Sequence, residues 1–357
     1  TGLTSVTGGV LSIGTLNNGG SNSSIGTNNT ISLSGNGVLS YTGGATSTSR
    51  TFSIGAGGGT IQNAGSGLLT LSSTLANAGN ALTLDTNTAN ITASGAITGA
   101  GSLTKLGANT LTLSSASNTY SGATNINNGT VTLTNSAALG SSSGTTVANG
   151  AVLDINFNNA TLGNTNGIIL NGSGIGSNGA LTFSGTNSTV SNAITLSSNG
   201  SIGGTGTGTI SGVISDGVGT FGLTKVGSGT ITLSNAANSY DGTTAINAGT
   251  LAVGTLANAG NNSSIGTSGA LTIGSASAGT LSYTGGATSS NTNITIGGAG
   301  GGTIQNAGSG LLTLTGTINN AGNALTFNTS SANITANGVV SGAGTLTKQG
   351  NSSLTLG

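Results

Sequence analysis

The 357-residue chain contains no cysteine, proline, methionine, tryptophan or histidine, and only eight charged side chains: Arg50, Lys105, Lys225, Lys348, Asp85, Asp154, Asp216 and Asp241. Each absence removes a class of chemistry. Zinc and iron sites lose their usual ligands, and four scattered aspartates do not make the carboxylate-rich oxygen shell that calcium prefers. General acid–base catalysis draws on His or paired carboxylates, and a nucleophilic Ser or Thr needs a base beside it. The sequence offers neither, so no catalytic, metal or cofactor residue is assigned and no enzyme is expected. Zero net charge, with no cluster of Lys or Arg, argues against nucleic acid as a partner. No apolar run approaches the ~20 residues of a membrane helix, and no cysteine means no disulfide framework.

What remains is ordered. Although 69 residues are glycine, 34% of the chain is hydrophobic, and net charge is too low for the usual disordered composition. Phrases such as TLTL, TITL, ALTLDT and TVTL alternate an aliphatic residue with Thr or Ser, the period of a strand with one buried face. Gly, Asn and Ser clusters between them favour turns. No long segment keeps a helical period, so essentially no α-helix is expected, and NSAALG at 135–140 is read as one helical turn at most. Short strands without proline or charge to guard their edges suit a solenoid, in which each coil pairs with its neighbours.

Longer repeats point the same way. AGGGTIQNAGSGLLTL at 56–71 returns unchanged at 299–314, and LSYTGGATS at 39–47 returns at 281–289. SLTKLGANTLTL, GLTKVGSGTITL and TLTKQGNSSLTL begin at 102, 222 and 345. We read three modules, 1–120, 121–240 and 241–357, the third like the first, within one continuous β-solenoid of residues 1–357. With coils near 20 residues, the expectation is roughly 18 coils.

The segment GLTKVGSGTITLSNAANSYDGTTAINAGTLAVG at 222–254 resembles the autotransporter-associated β-strand repeat of bacterial autotransporter passengers and related giant surface proteins. Residues 102–156 show the same order, and a third copy stops at SLTLG. The resemblance implies an all-β, right-handed parallel β-helix at the bacterial cell surface or released from it. No membrane-barrel segment accompanies it here, so no mode of attachment is carried over.

Period two would set Lys105 on the side of Leu103, where a bare ammonium is costly. We therefore expect Lys105, Lys225 and Lys348 at coil corners, stems along the coil and ammonium groups reaching carbonyls or water. The matched tyrosines, Tyr41 with Tyr283 and Tyr120 with Tyr240, are expected to cover coil edges with wet hydroxyls. Asn-rich turns at 19–26 and 260–266 are expected to stack as amide ladders between coils. Glycine strings such as GAGGGT lack the strand, helix and lysine of a phosphate loop.

Two functions fit these features: a structural or adhesive extracellular solenoid, including a passenger adhesin for host receptors, or a module whose outward Thr and Asn arrays bind polysaccharide or ice. Variable spacers between the Thr-Leu-Thr units favour the first. The opening TGLTSVTGG matches the text from Ser121 and Asp241, and Gly357 falls at the phase of Ser234. A longer object is expected, with neighbouring repeats of one protein or copies stacked end to end as partners.

Overall fold

The computed structural model describes residues 2–357. The alternating phrases become short strands: Leu69–Leu71, Thr110–Leu113 and Gly129–Leu133 each alternate buried and partly exposed positions. Strands of successive turns pair in parallel, which makes a β-solenoid. That pairing satisfies the backbone groups a flat sheet would leave open at its edges. The chain divides into two compact units, Thr1–Ile169 and Leu170–Gly357.

In the first unit three parallel sheets line the turns. One joins Thr4–Val6, Thr30–Leu33, Thr51–Ile54, Leu75–Ala76 and Ile97–Thr98; a second runs from Val10–Ile13 to Thr145–Val147, and a third from Thr46–Thr48 to Ala151–Ile155. Inward aliphatics meet in register. Leu69, Ile91, Leu111, Val131 and Leu153 stack one per turn, and all are fully buried. Burying each such side chain stabilises the fold by roughly 1.5–3 kcal/mol relative to leaving it in water.

In the second unit one sheet carries Thr207–Ile210, Thr230–Leu233, Gly249–Val253, Gly279–Tyr283, Gly302–Asn306, Leu325–Asn328 and Leu346–Gln349. A second includes Leu223–Lys225, Thr244–Ile246, Ala270–Ile273 and Asn293–Ile296, and a third joins Thr288–Ser290, Leu312–Leu314, Ile334–Ala336 and Leu354–Leu356. No α-helix occurs among the described residues, and the one 3-10 turn is Ile175–Ser177. Residues 136–140 form turns, with the Ala138 and Gly140 N–H groups donating to Asn135 and Ala137 carbonyls.

The turns number about 15, fewer than the 18 expected. Their lengths explain the difference. Most register steps are 21 to 23 residues, as from Leu82 to Leu103 (103 − 82 = 21) and from Gly59 to Leu82 (82 − 59 = 23). Two turns are longer, as the steps from Val10 to Val38 (38 − 10 = 28) and from Gly249 to Gly279 (279 − 249 = 30) show, because the loops after Ile13 and Val253 are extended.

Candidate functional site

The repeated lysines build the most distinctive local structure. Lys105 follows Leu103 and Thr104 on its strand, so period two directs it inward, and it has no accessible surface. The expected corner is replaced by an inward strand position, and of the expected partners, carbonyls or water, the ammonium takes carbonyls. Its Nζ donates to the carbonyls of Leu106 (2.8 Å), Gly107 (2.7 Å) and Asn128 (2.9 Å), the last from the next turn. Three acceptors match the three N–H bonds of an ammonium, which is what burial of such a group requires. Lys225 repeats the cage with Val226 (2.9 Å), Gly227 (2.8 Å) and Ala248 (3.1 Å), and it too has no accessible surface. Gly129 closes the first cage at φ 68°, where an added Cβ would lie 2.7 Å from Lys105 Nζ; Gly249 takes φ 65° at the second. Burial pulls both pKa values down to about 8, and Asp85 pulls that of Lys105 back up. Lys348 is exposed, its Nζ donating to the Gly350 carbonyl at 2.5 Å.

The tyrosines are also interior, against the expectation of wet hydroxyls. Tyr240 donates to Thr244 Oγ1 at 2.7 Å, and that hydroxyl donates onward to the Ile265 carbonyl at 3.0 Å. Tyr120 pairs likewise with Thr124 at 2.8 Å, and Thr124 donates to Ser142 Oγ. Tyr41 and Tyr283 close short loops by donating to Gly44 (2.8 Å) and Gly286 (2.7 Å) carbonyls. Burial raises the pKa of Tyr120, Tyr240 and Tyr283.

The sequence reading missed a set of buried asparagines that clasp neighbouring turns. Asn63 and Asn306 each donate to two carbonyls, of Gly67 and Asn90 and of Gly310 and Asn333. Asn77 and Asn320 exchange two bonds with Gly101 and Gly344. Asn118 accepts from Ile97 N–H and donates to the Ala138 carbonyl, as Asn238 does with Ile214 and Ser264. The signal was present in the identical QNAGSG and near-identical NTY and NSY phrases. The loops read as amide ladders differ from that expectation: Asn22 and Asn261 make contacts inside their own loops, with Asn17 and Asn258. Arg50, fully buried and unmatched in any repeat, donates to the carbonyls of Asn17, Asn18, Ser21, Gly26 and Asn28 and to Ser23 Oγ.

The outward faces are regular. In the second unit Thr207, Thr230, Thr250, Thr280, Thr303, Thr326 and Thr347 stand opposite one another on successive strands. Thr70, Thr92, Thr112 and Thr132 do so in the first unit. The variable spacers of the sequence are absorbed in turns. The seven stacked threonines are separated by 20 to 30 residues in the chain, yet remain one turn apart. Among the described residues no three His, Cys, Asp or Glu side chains gather as a metal site, and no helix is long and apolar enough to cross a membrane.

The cages bring no free cation to a common site. Lys225 and Lys348 sit on different sheets, and the acceptors of the buried lysines are the protein's own carbonyls. This is a parallel β-solenoid whose repeated polar residues brace turns from within. The passenger-associated-transport-repeat family matches it twice, at residues 103–133 and 223–253. Each match spans one lysine cage, from the strand that carries the lysine through Tyr120 or Tyr240 and Gly129 or Gly249 to the next strand. Comparison with curated proteins and with solved structures gave no significant match. The fold and the two repeats fit an autotransporter passenger domain.

Proposed function

We propose that this chain is a non-catalytic structural segment of a secreted or surface-displayed passenger, one that supplies length and stiffness and belongs to a longer fibre or repeat protein. The observation that carries the reading is the use of its cations. Arg50, Lys105 and Lys225 have no accessible surface and hydrogen-bond to backbone carbonyls, so these three cations serve to join turns. The family match supports the route out of the cell. Fusion of residues 1–357 between a signal peptide and an autotransporter barrel tests it. The expected result is a β-rich passenger on intact cells, cleaved by external protease only at its joints. Retention in the periplasm or complete digestion would contradict the proposal.

A second reading, binding of a repetitive surface such as ice or a polysaccharide, has one observation behind it. Seven threonines lie in one column, and the hydroxyls of Thr230, Thr250, Thr280, Thr303, Thr326 and Thr347 make no hydrogen bond among the described residues. Thermal hysteresis that disappears in Thr250→Lys and Thr303→Lys would favour this reading over the first.

A further inference from the structure

Three copies of the lysine phrase permit an internal comparison. ITGAGSLTK (97–105) and VSGAGTLTK (340–348) have nine residues, whereas the middle copy, ISDGVGTFGLTK (214–225), has twelve. Equivalent bonds from the Ile97 and Ile214 N–H groups to Asn118 and Asn238 fix one end of the alignment, and the caged lysines fix the other. The three extra residues therefore widen the turn between Ser215 and Gly222. Two of the four aspartates of the chain lie here: Asp216 in the widened turn, and Asp241 one turn on, where the first copy has Ser121.

These departures converge in space. Asp216 is buried, and its Oδ2 accepts from Phe221 N–H at 3.0 Å and Asp241 N–H at 3.2 Å, tying the widened turn to the next. From the preceding turn, Asn199 Oδ1 accepts from Gly222 N–H at 2.8 Å. Gly222 is required: an added Cβ would meet the Thr243 carbonyl oxygen at 2.5 Å. Above Gly222 lies a hollow of about 470 Å³ lined by Asn199, Thr220, Thr224, Asp241 and Thr243. By register, Asn199, Gly222 and Thr243 stand where the first unit has Ala81, Ser102 and Ala123.

The lining is chemically specific. Among the described residues the Asp241 carboxylate and the Thr220, Thr224 and Thr243 hydroxyls make no hydrogen bond, and the Asn199 carboxamide has its N–H groups to spare. One carboxylate acceptor, a carboxamide donor and three hydroxyls that do both match vicinal sugar hydroxyls, which also donate and accept. No cation lines the hollow to receive an anion. The geometry points to the hollow over Gly222 as a binding site for a neutral saccharide unit, peculiar to the middle copy of the repeat. The site stands apart from the scaffold reading and holds or fails whether or not the chain is secreted.

Saturation-transfer NMR on the whole chain with gluco-, manno- and galacto-oligosaccharides tests it, with calcium chloride alone as a second arm. At least one sugar is expected to receive saturation and to shift the Asp241 and Thr243 amides. Asp241→Ser, the residue of the first copy, should weaken that binding about tenfold or more at an unchanged unfolding temperature. Deletion of Val218, Gly219 and Thr220, which restores the nine-residue phrase, should abolish it. No binding at millimolar sugar would overturn the proposal. So would amide shifts produced by calcium alone, or wild-type affinity in Asp241→Ser.

Discussion

The loops at 15–28 and 255–268 carry nearly the same text and solve the same problem differently. Both keep a reciprocal pair, Thr15 with Ser24 and Thr255 with Ser264, and both dock through an asparagine, Asn18 Oδ1 accepting from Ser49 N–H and Asn258 Oδ1 from Asn291 N–H. In the first loop the carbonyls converge on Arg50. In the second, Thr292 takes that place, and only the side-chain bonds common to both loops remain: Ser290 to the Ala257 carbonyl and Ser263 to that of Gly266, as Thr48 donates to Asn17 and Ser23 to Gly26 in the first. A neighbouring turn covers the second loop as well, with Thr267 N–H donating to the Tyr240 carbonyl and Asn238 to that of Ser264. Ser263, Ser264 and Ile265 are accordingly buried, whereas Ser23, Ser24 and Ile25 are partly or fully exposed. One guanidinium thus does from inside what a packed turn does from outside.

The core sets the scale against which that contrast can be broken. Leu69→Asp and Leu312→Asp place a carboxylate among stacked aliphatics and should each cost several kcal/mol, on the order of 4 or more. Thr70→Asp and Thr313→Asp, one residue outward, should stay within about 1 kcal/mol. Denaturant unfolding followed by circular dichroism measures both, and equal damage at the two positions would show the faces to be misassigned.

Next in size is Arg50→Thr, which gives the first loop the residue of the second without its covering turn. A loss on the order of 3 kcal/mol is expected, because several carbonyls lose a charged donor. Limited proteolysis should show new cleavage within 15–28 and none within 255–268. The converse exchange, Thr292→Arg, should bring no stabilisation, since a neighbouring turn already covers the second loop.

A smaller effect follows from the lysine cages. The folded pKa of Lys105 and Lys225 is about 8, below the ~10.4 of an unfolded lysine. Between these values the unfolded chain binds more protons, so stability should rise as pH increases from about 8 to 10. Tyr120 and Tyr240 have raised folded pKa values, so above pH ~10 the folded chain holds protons the unfolded chain releases, and stability should fall. Thermal unfolding across this range should show a maximum near pH 10. The double variant Lys105→Met and Lys225→Met should flatten the rising limb and keep the falling one.

Much of the fold was legible because a strand period of two survives in phrases such as TLTL, and near-identical repeats exposed the stacking. The lysine cage was half legible. Period two pointed Lys105 inward, but the acceptor that makes burial tolerable, Asn128, lies 23 residues on and belongs to the next turn. A solvation argument confined to one strand therefore moved the side chain to a corner and left carbonyls and water both open as its partners. Arg50 gave no repeat to notice, and its acceptors lie 22 to 33 residues before it. The threonine column was hidden for the opposite reason: its members are in register only after turns of unequal length take up the spacers. The hollow over Gly222 was visible as a three-residue difference between phrases, but its depth depends on backbone approach, which no spacing reveals.

Acylation of the native chain with an amine-reactive ester at pH 7, quantified by mass spectrometry at each lysine, tests most directly the claim that the repeated cations brace turns from within. Lys348 should be modified readily, and Lys105 and Lys225 should resist modification until the chain is unfolded. Comparable labelling of all three lysines in the folded protein would contradict the cages and the scaffold reading built on them.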